Sequence, residues 1–167
     1  MRDEIIFWVI TDTHFGHGRM LEYCDRPEGF EDLIFAELAV IRPCDVLIHL
    51  GDFCIKRDEY WHEAFMSRCA AGKKWLLRGN HDKKTMAWYL AHGWDCVATQ
   101  LVMRLLGRDL ALSHYPLAPS DDWDLNIHGH VHKLRADELS LPHQHLVSLE
   151  ENNYRPLNLR KIVEGRP

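Results

Sequence analysis

Three short apolar runs constrain this chain more than any other feature. They are residues 5–10 (Ile-Ile-Phe-Trp-Val-Ile), 46–50 (Val-Leu-Ile-His-Leu) and 74–78 (Lys-Trp-Leu-Leu-Arg). The first has β-branched and aromatic side chains with no polar alternation, which reads as a strand buried on both faces. The second reads the same way, and the third is a further strand. Each run breaks at once into a polar turn: Thr11-Asp-Thr-His-Phe-Gly-His-Gly18, then Gly51-Asp52, then Gly79-Asn-His-Asp82. Helical spacing fills the intervals. Leu33, Ile34, Leu38 and Ile41 predict a helix over 31–41 that Pro43 ends. A second helix is expected over 58–71, closed by Gly72, and a third over 84–92, stopped by Gly93.

After residue 93 the pattern turns to β. Residues 101–106 and 109–113 read as a hairpin around Gly107-Arg108. Residues 125–128, 145–148 and 156–160 are further strand candidates, and the tail from residue 152 onward is expected to add an edge strand. The order β-α-β-α-β-α followed by mostly β implies an α/β chain, a two-sheet sandwich with helices outside. Its 167 residues suit one domain, 1–167, with a core large enough to need no disulfides. The five cysteines are odd in number and form no CxxC pair, so a secreted disulfide framework or a zinc ribbon is not expected. The first apolar run is too short to span a membrane and follows Asp3 and Glu4 rather than a basic segment. A cytoplasmic protein that avoids membranes is the expectation. A net charge of −5 argues against stable nucleic-acid binding, yet not against phosphate chemistry carried by metal cations.

The 12 histidines sharpen this outlook. Asp12 and His14, Asp52, Asn80 and His81, His114, and His130 and His132 all lie where a predicted strand ends. Loops at the C-terminal ends of strands are where α/β folds gather their sites. A ligand set of His, Asp and Asn without cysteine suits Mn²⁺, Fe²⁺, Zn²⁺ or Co²⁺ and disfavours a thiolate site. These residues are too many for one ion with an open position. They suit two ions that share a carboxylate, the arrangement that hydrolyses phosphate esters with ions about 3.5–4 Å apart.

The ordered series Asp12-x-His14, Gly51-Asp52, Gly79-Asn80-His81-Asp82, His114 and Gly129-His130-x-His132 resembles the calcineurin-like metallophosphoesterases. It runs through most of the chain. The resemblance implies a four-layer α-β-β-α sandwich of two mixed sheets. It also implies two divalent ions, Mn²⁺ first, with Fe, Zn, Ni or Co as alternatives. By resemblance, Asp12, His14 and His132 hold one ion, Asn80, His114 and His130 hold the other, and Asp52 bridges them. His81 faces the substrate and Asp82 orients or polarises it. The implied reaction is in-line attack on phosphorus by a metal-bridging hydroxide, without a phospho-enzyme. The chain is similar to the small bacterial and phage phosphoesterases. In the place of a V-D-R-G-like run it has Phe53-Cys-Ile-Lys56-Arg57, which sets it apart from the protein serine/threonine phosphatases and the diadenosine tetraphosphatases.

Blander readings stand beside these. His17 either touches the substrate or is a loop histidine packed on Phe15. His49 packs in the sheet or orients a ligand, and His128 is a buried structural residue or supports one. His62, His92, His143 and His145 are surface or packing residues. Trp61, Trp75, Trp88 and Trp94 are core residues, Tyr115-Pro116 shapes the turn at His114, and Arg78 stays outside the catalytic set. The substrate is expected to be a phosphodiester, with a nucleotide or cyclic nucleotide as a candidate. The alternatives are a phosphomonoesterase or nucleotide phosphatase and a non-catalytic scaffold of the same fold. The sequence leaves the oligomeric state open.

Overall fold

The computed structural model describes residues 4–132 and 141–165. The three apolar runs form β1 (Phe7–Ile10), β2 (Val46–His49) and β3 (Lys73–Leu77). With β4 (Cys96–Ala98) they make a parallel array in the order β4-β3-β2-β1, aligned as Val9↔Ile48 and Ile48↔Trp75. Strands β5 (Gln100–Leu105), β6 (Arg108–Ser113), β7 (Leu125–His128) and β8 (Gln144–Leu146) form a second sheet in chain order. There β5 and β6 are antiparallel and the remaining pairs parallel. The hairpin turns at Leu106 and Gly107, with φ of 53° and 80°. That is one residue earlier than the sequence suggested, and two positive φ values in succession match the twist of a hairpin. Thr99 alone separates β4, on the edge of one sheet, from β5, on the edge of the other.

Strand alternation explains why the apolar runs carry no polar face. Ile10, Leu47 and Leu76 point into one core, and Val9, Ile48 and Leu77 point into the other. The second core lies between the sheets, where Leu110, Leu112, Leu125 and Ile127 meet it. The first lies under the helices: α2 (Phe30–Glu37) adds Phe30, Ile34 and Phe35, and α3 (Asp58–Arg68) adds Phe65. Tyr89 of α4 (Met86–Ala91) and Trp94 complete it. Both faces of the first sheet are therefore covered, as a mixed two-sheet α/β sandwich requires.

Several boundaries differ from the sequence expectation for local reasons. Leu33 points outward at 43% exposure, and the buried stripe is instead Phe30, Ile34 and Leu38. The helix expected to reach Ile41 tightens into a 3₁₀ turn at Leu38–Val40. The second helix stops at Arg68 because Cys69 is already extended. Thr85 caps α4, its Oγ1 accepting from Trp88 N–H, so that helix starts at Met86. A short helix α1 (Met20–Tyr23) stands in the loop after β1, where none was expected.

The tail does add an edge strand, β9 (Leu157–Asn158), antiparallel to β1. The strand expected to continue to residue 160 becomes helix α5 (Leu159–Glu164) instead. Asn158 Oδ1 accepts from Arg160 N–H at 2.9 Å, which ends the strand and begins the helix. Leu159 and Val163, one turn apart, enter the inter-sheet core. Residues 166 and 167 of that tail lie outside the described residues. Among the described residues, no helix is long and apolar enough to cross a membrane.

Leu47 and Ile48 are fully buried neighbours on opposite faces of β2. Truncating either to Ala is expected to cost about 2–5 kcal/mol. Urea denaturation of Leu47→Ala and Ile48→Ala checks that both cores support the same cooperative unit.

Candidate metal centre

The loops beyond β1 and β2 continue to pair after the strands end. Asp12 N–H donates to Gly51 O at 2.9 Å, His14 N–H to Asp52 O at 3.0 Å, and Phe15 N–H to Phe53 O at 3.0 Å. This ladder sets Asp12, His14 and Asp52 side by side. Asp12, His14, Asp52 and His130 all adopt left-handed backbone, with φ of 50°, 47°, 56° and 67°. Such conformations cost on the order of 1–3 kcal/mol each and persist where surrounding bonds enforce them. At Gly79 a Cβ would fall on the Asp52 carboxylate, and at Gly129 on the Thr11 hydroxyl and the Asp12 carboxylate. Both positions need glycine so that the loops can close around those carboxylates.

All seven residues expected to hold ions converge. His14 Nε2 lies 3.7 Å from both Asp12 Oδ1 and Asp52 Oδ2. His132 Nε2 lies 3.8 Å from Asp12 Oδ1, and His114 Nε2 lies 3.5 Å from Asp52 Oδ2. His114 Nε2 also stands 3.0 Å from Asn80 Oδ1 and 3.1 Å from His130 Nδ1. His114 Nδ1 donates to the Leu50 carbonyl at 3.0 Å, which turns Nε2 toward the cluster. Asp52 Oδ2, Asn80 Oδ1 and His130 Nδ1 thus gather around His114 Nε2. Asp12 Oδ1 and His14 Nδ1 are buried and have no hydrogen-bond partner. Acceptors gathered against acceptors are the mark of a cation site. Three groups qualify among the described residues: Asp12–His14–His132, Asp52–His114–His130, and Cys24–His132–Glu150, which shares His132 with the first. Burial disfavours the charge on Asp12, yet His14, His114 and His132 hold its carboxyl well below the usual range.

His81 lies at the edge of the cluster. Its backbone N–H donates to Asp52 Oδ1 at 2.8 Å, and its Nε2 is 3.8 Å from Asp52 Oδ2 on a side chain 43% exposed. His17 lies beyond His14, with ring centroids 5.6 Å apart and 6.5 Å from His81. Its Nδ1 is buried without a partner, and burial lowers its pKa.

Asp82 is placed differently from expectation. Its Oδ2 accepts from Asp52 N–H and Gly79 N–H, each at 2.8 Å, and its Oδ1 from Phe53 N–H at 3.1 Å. The carboxylate ties the second and third loops together, and among the described residues its hydrogen bonds go to these amides and not to the His81 ring. Burial pushes its pKa up even against these three donors. Arg78 is likewise structural, its guanidinium donating to the Asp82 carbonyl.

A second layer of support went unread in the sequence. The buried Arg26 donates to the Asp12 carbonyl at 2.7 Å, the Thr13 carbonyl at 2.8 Å and Glu150 Oε1 at 2.8 Å. Glu150 in turn accepts from His132 Nδ1 at 3.1 Å, which aims Nε2 at Asp12. Burial raises the Glu150 pKa, but His132 and Arg26 outweigh it and bring it down to about 2. No local motif marks Arg26 or Glu150, which are far apart in sequence and meet only in the fold. His49 takes the orienting role. Its Nδ1 accepts from Gly51 N–H at 3.1 Å and its Nε2–H faces Thr13 Oγ1 at 3.0 Å, which donates to Phe53 O. Burial lowers its pKa to about 3, so the ring is neutral. His128 is buried, with Nδ1 2.9 Å from Gly129 O.

The sequence pattern of the calcineurin-like phosphoesterases matches residues 5–109. An uncharacterized protein of Methanocaldococcus jannaschii is 29% identical over 171 residues, covering 94% of this chain and 89% of that one. A protein of unknown function from Aquifex aeolicus superposes with a TM-score of 0.77 at 26% identity, over 96% of this chain and 99% of the other. A Pseudomonas putida nuclease shares the fold at a TM-score of 0.51 and 23% identity, over 75% of this chain and 61% of its own.

Glu150→Gln weakens the acceptor that aims His132. It is expected to lower divalent-ion affinity at Asp12–His14–His132 by about 10–100-fold. Calorimetric titration with Mn²⁺ measures this, with the metal-free melting temperature as the control for folding. An unchanged isotherm would show that the Glu150 charge does not support ion binding through His132.

Proposed function

This chain belongs to the calcineurin-like phosphoesterase family, and we propose that it is a metal-dependent hydrolase of phosphate esters that acts on diesters ahead of monoesters. The observation that carries this reading is the set of polar atoms around His114 Nε2, with a second set, Asp12–His14–His132, whose His14 Nε2 lies 3.7 Å from the same Asp52 carboxylate. Such a donor set fits divalent ions. Asp12, His14 and His132 would hold one, Asn80, His114 and His130 another, and Asp52 would be shared. Mn²⁺ is the first candidate. When bound, such ions neutralise phosphoryl oxygens and acidify the attacking water.

The rest of the chemistry belongs to side chains. His81 stands partly exposed beside the shared Asp52, fixed through its own backbone N–H. From there it donates to the oxygen that departs from phosphorus, a general-acid role. Asp82 keeps the His81 loop and the Asp52 loop in register through backbone amides. His17, neutral and on the same side as His14 and His81, contacts the ester. A cavity of about 570 Å³ borders His132 and Glu150, between Tyr23 and Tyr154, and gives room for the alcohol part of a diester such as a nucleotide or cyclic nucleotide. The whole chain acts as one domain.

Two measurements test this. With Mn²⁺ present, an aryl phosphodiester is expected to have the higher kcat/KM than its monoester. A monoester preference above tenfold would reverse the substrate assignment. His81→Ala is expected to keep its bound ions and lose about 10²–10⁴-fold in kcat, as read by metal analysis and steady-state kinetics. Full activity in that variant would remove His81 from the reaction, and absence of turnover in the ion-loaded wild type would favour a scaffold.

A further inference from the structure

The Asp52 and Asn80 oxygens that face inward in the Asp52–Asn80–His114–His130 group are acceptors. A phosphoryl group arriving there brings only more acceptors. Tyr115 supplies what the group lacks. Its hydroxyl donates to Asn80 Oδ1 at 3.1 Å, the same atom that faces His114 Nε2. Its ring lies 4.4 Å from the His130 imidazole and 5.0 Å from that of His114. Ser113 Oγ donates to the Tyr115 carbonyl at 2.6 Å, which steadies the backbone before Pro116. The residue is still 46% exposed. The phenol is therefore a fixed neutral donor at the solvent side of the acceptor cluster.

We propose that Tyr115 is a catalytic residue whose hydroxyl donates a hydrogen bond to a phosphoryl oxygen of the substrate, moving to it from Asn80 Oδ1. This rests on the phosphoesterase reading above. The hydroxyl keeps its proton, and no bond to it forms or breaks. A neutral donor suits the place, because a cation there would compete with the ions that the cluster is shaped to hold.

Tyr115→Phe removes the hydroxyl and keeps the ring against both histidines. At saturating Mn²⁺ its kcat/KM for an aryl phosphodiester is expected to fall about tenfold or more, the size of a lost hydrogen bond to a charged group. The dissociation constant of inorganic phosphate for the Mn²⁺-loaded protein should rise by a similar factor in calorimetry, while Mn²⁺ affinity stays at the wild-type value. If Mn²⁺ affinity drops but turnover and phosphate binding at saturating Mn²⁺ do not change, Tyr115 only positions Asn80 and the proposal fails. Wild-type values throughout overturn it as well. If the wild type hydrolyses no ester, the phosphoesterase reading fails, and the phosphate titration still decides Tyr115. No phosphate binding by the wild type overturns both.

Discussion

Asp12 and Asp52 are buried carboxylates that share the His14 imidazole between them, and the described structure around them is organised to tolerate that arrangement. Desolvated charge of one sign is costly unless it meets donors or a cation. Asp12 Oδ2 accepts from Thr11 Oγ1 and His130 N–H, while Oδ1 has none. Asp52 Oδ1 accepts from His81 N–H, while its Oδ2 faces imidazoles. One oxygen of each carboxylate is thus satisfied by the protein and the other is left for the centre. The division places the structural and the chemical demand on different atoms of the same side chain.

Besides Glu150 behind His132, three buried polar side chains support the backbone of the candidate centre. Arg26 holds the carbonyls of Asp12 and Thr13, Asp82 holds amides of the second and third loops, and His49 joins the first loop to the second. Each binds backbone, and backbone position is what sets where a short Asp, Asn or His side chain can reach. The left-handed conformations at Asp12, His14, Asp52 and His130 follow from this crowding. The ligands are preorganised by bonds that do not involve them as ligands.

Much of this was legible before any coordinates. The apolar runs give β1, β2 and β3, because a strand between two cores needs no polar face. The site series is readable because each member sits in a short loop at a strand end, several of them beside glycine, and the resemblance to a family supplies the order. What escaped was non-local. Arg26 and Glu150 form their pair across 124 positions, and nothing near either one announces it. Asp82 reads in the sequence as a partner of its neighbour His81, whereas its hydrogen bonds come from amides of both the second and the third loop. At residue 158 a strand and a helix compete over a few residues, and the cap formed by the Asn158 side chain decides it. Leu33 shows the limit of periodicity, since four apolar residues in one helix do not all fit one buried stripe.

The passage from β4 to β5 through Thr99 gives the arrangement of the centre a mechanical side. The chain leaves one sheet and starts the other at their edges, with a single residue between. Asp12, His14, Asp52 and Asn80 follow strands of the first sheet, and His114, His130 and His132 follow strands of the second. A divalent ion held by residues from both groups would be a rivet across the sandwich. The spacing of the sheets would then be linked to the free concentration of that ion by mass action. Such a centre, assembled by the fold, would in turn clamp the fold's two halves together.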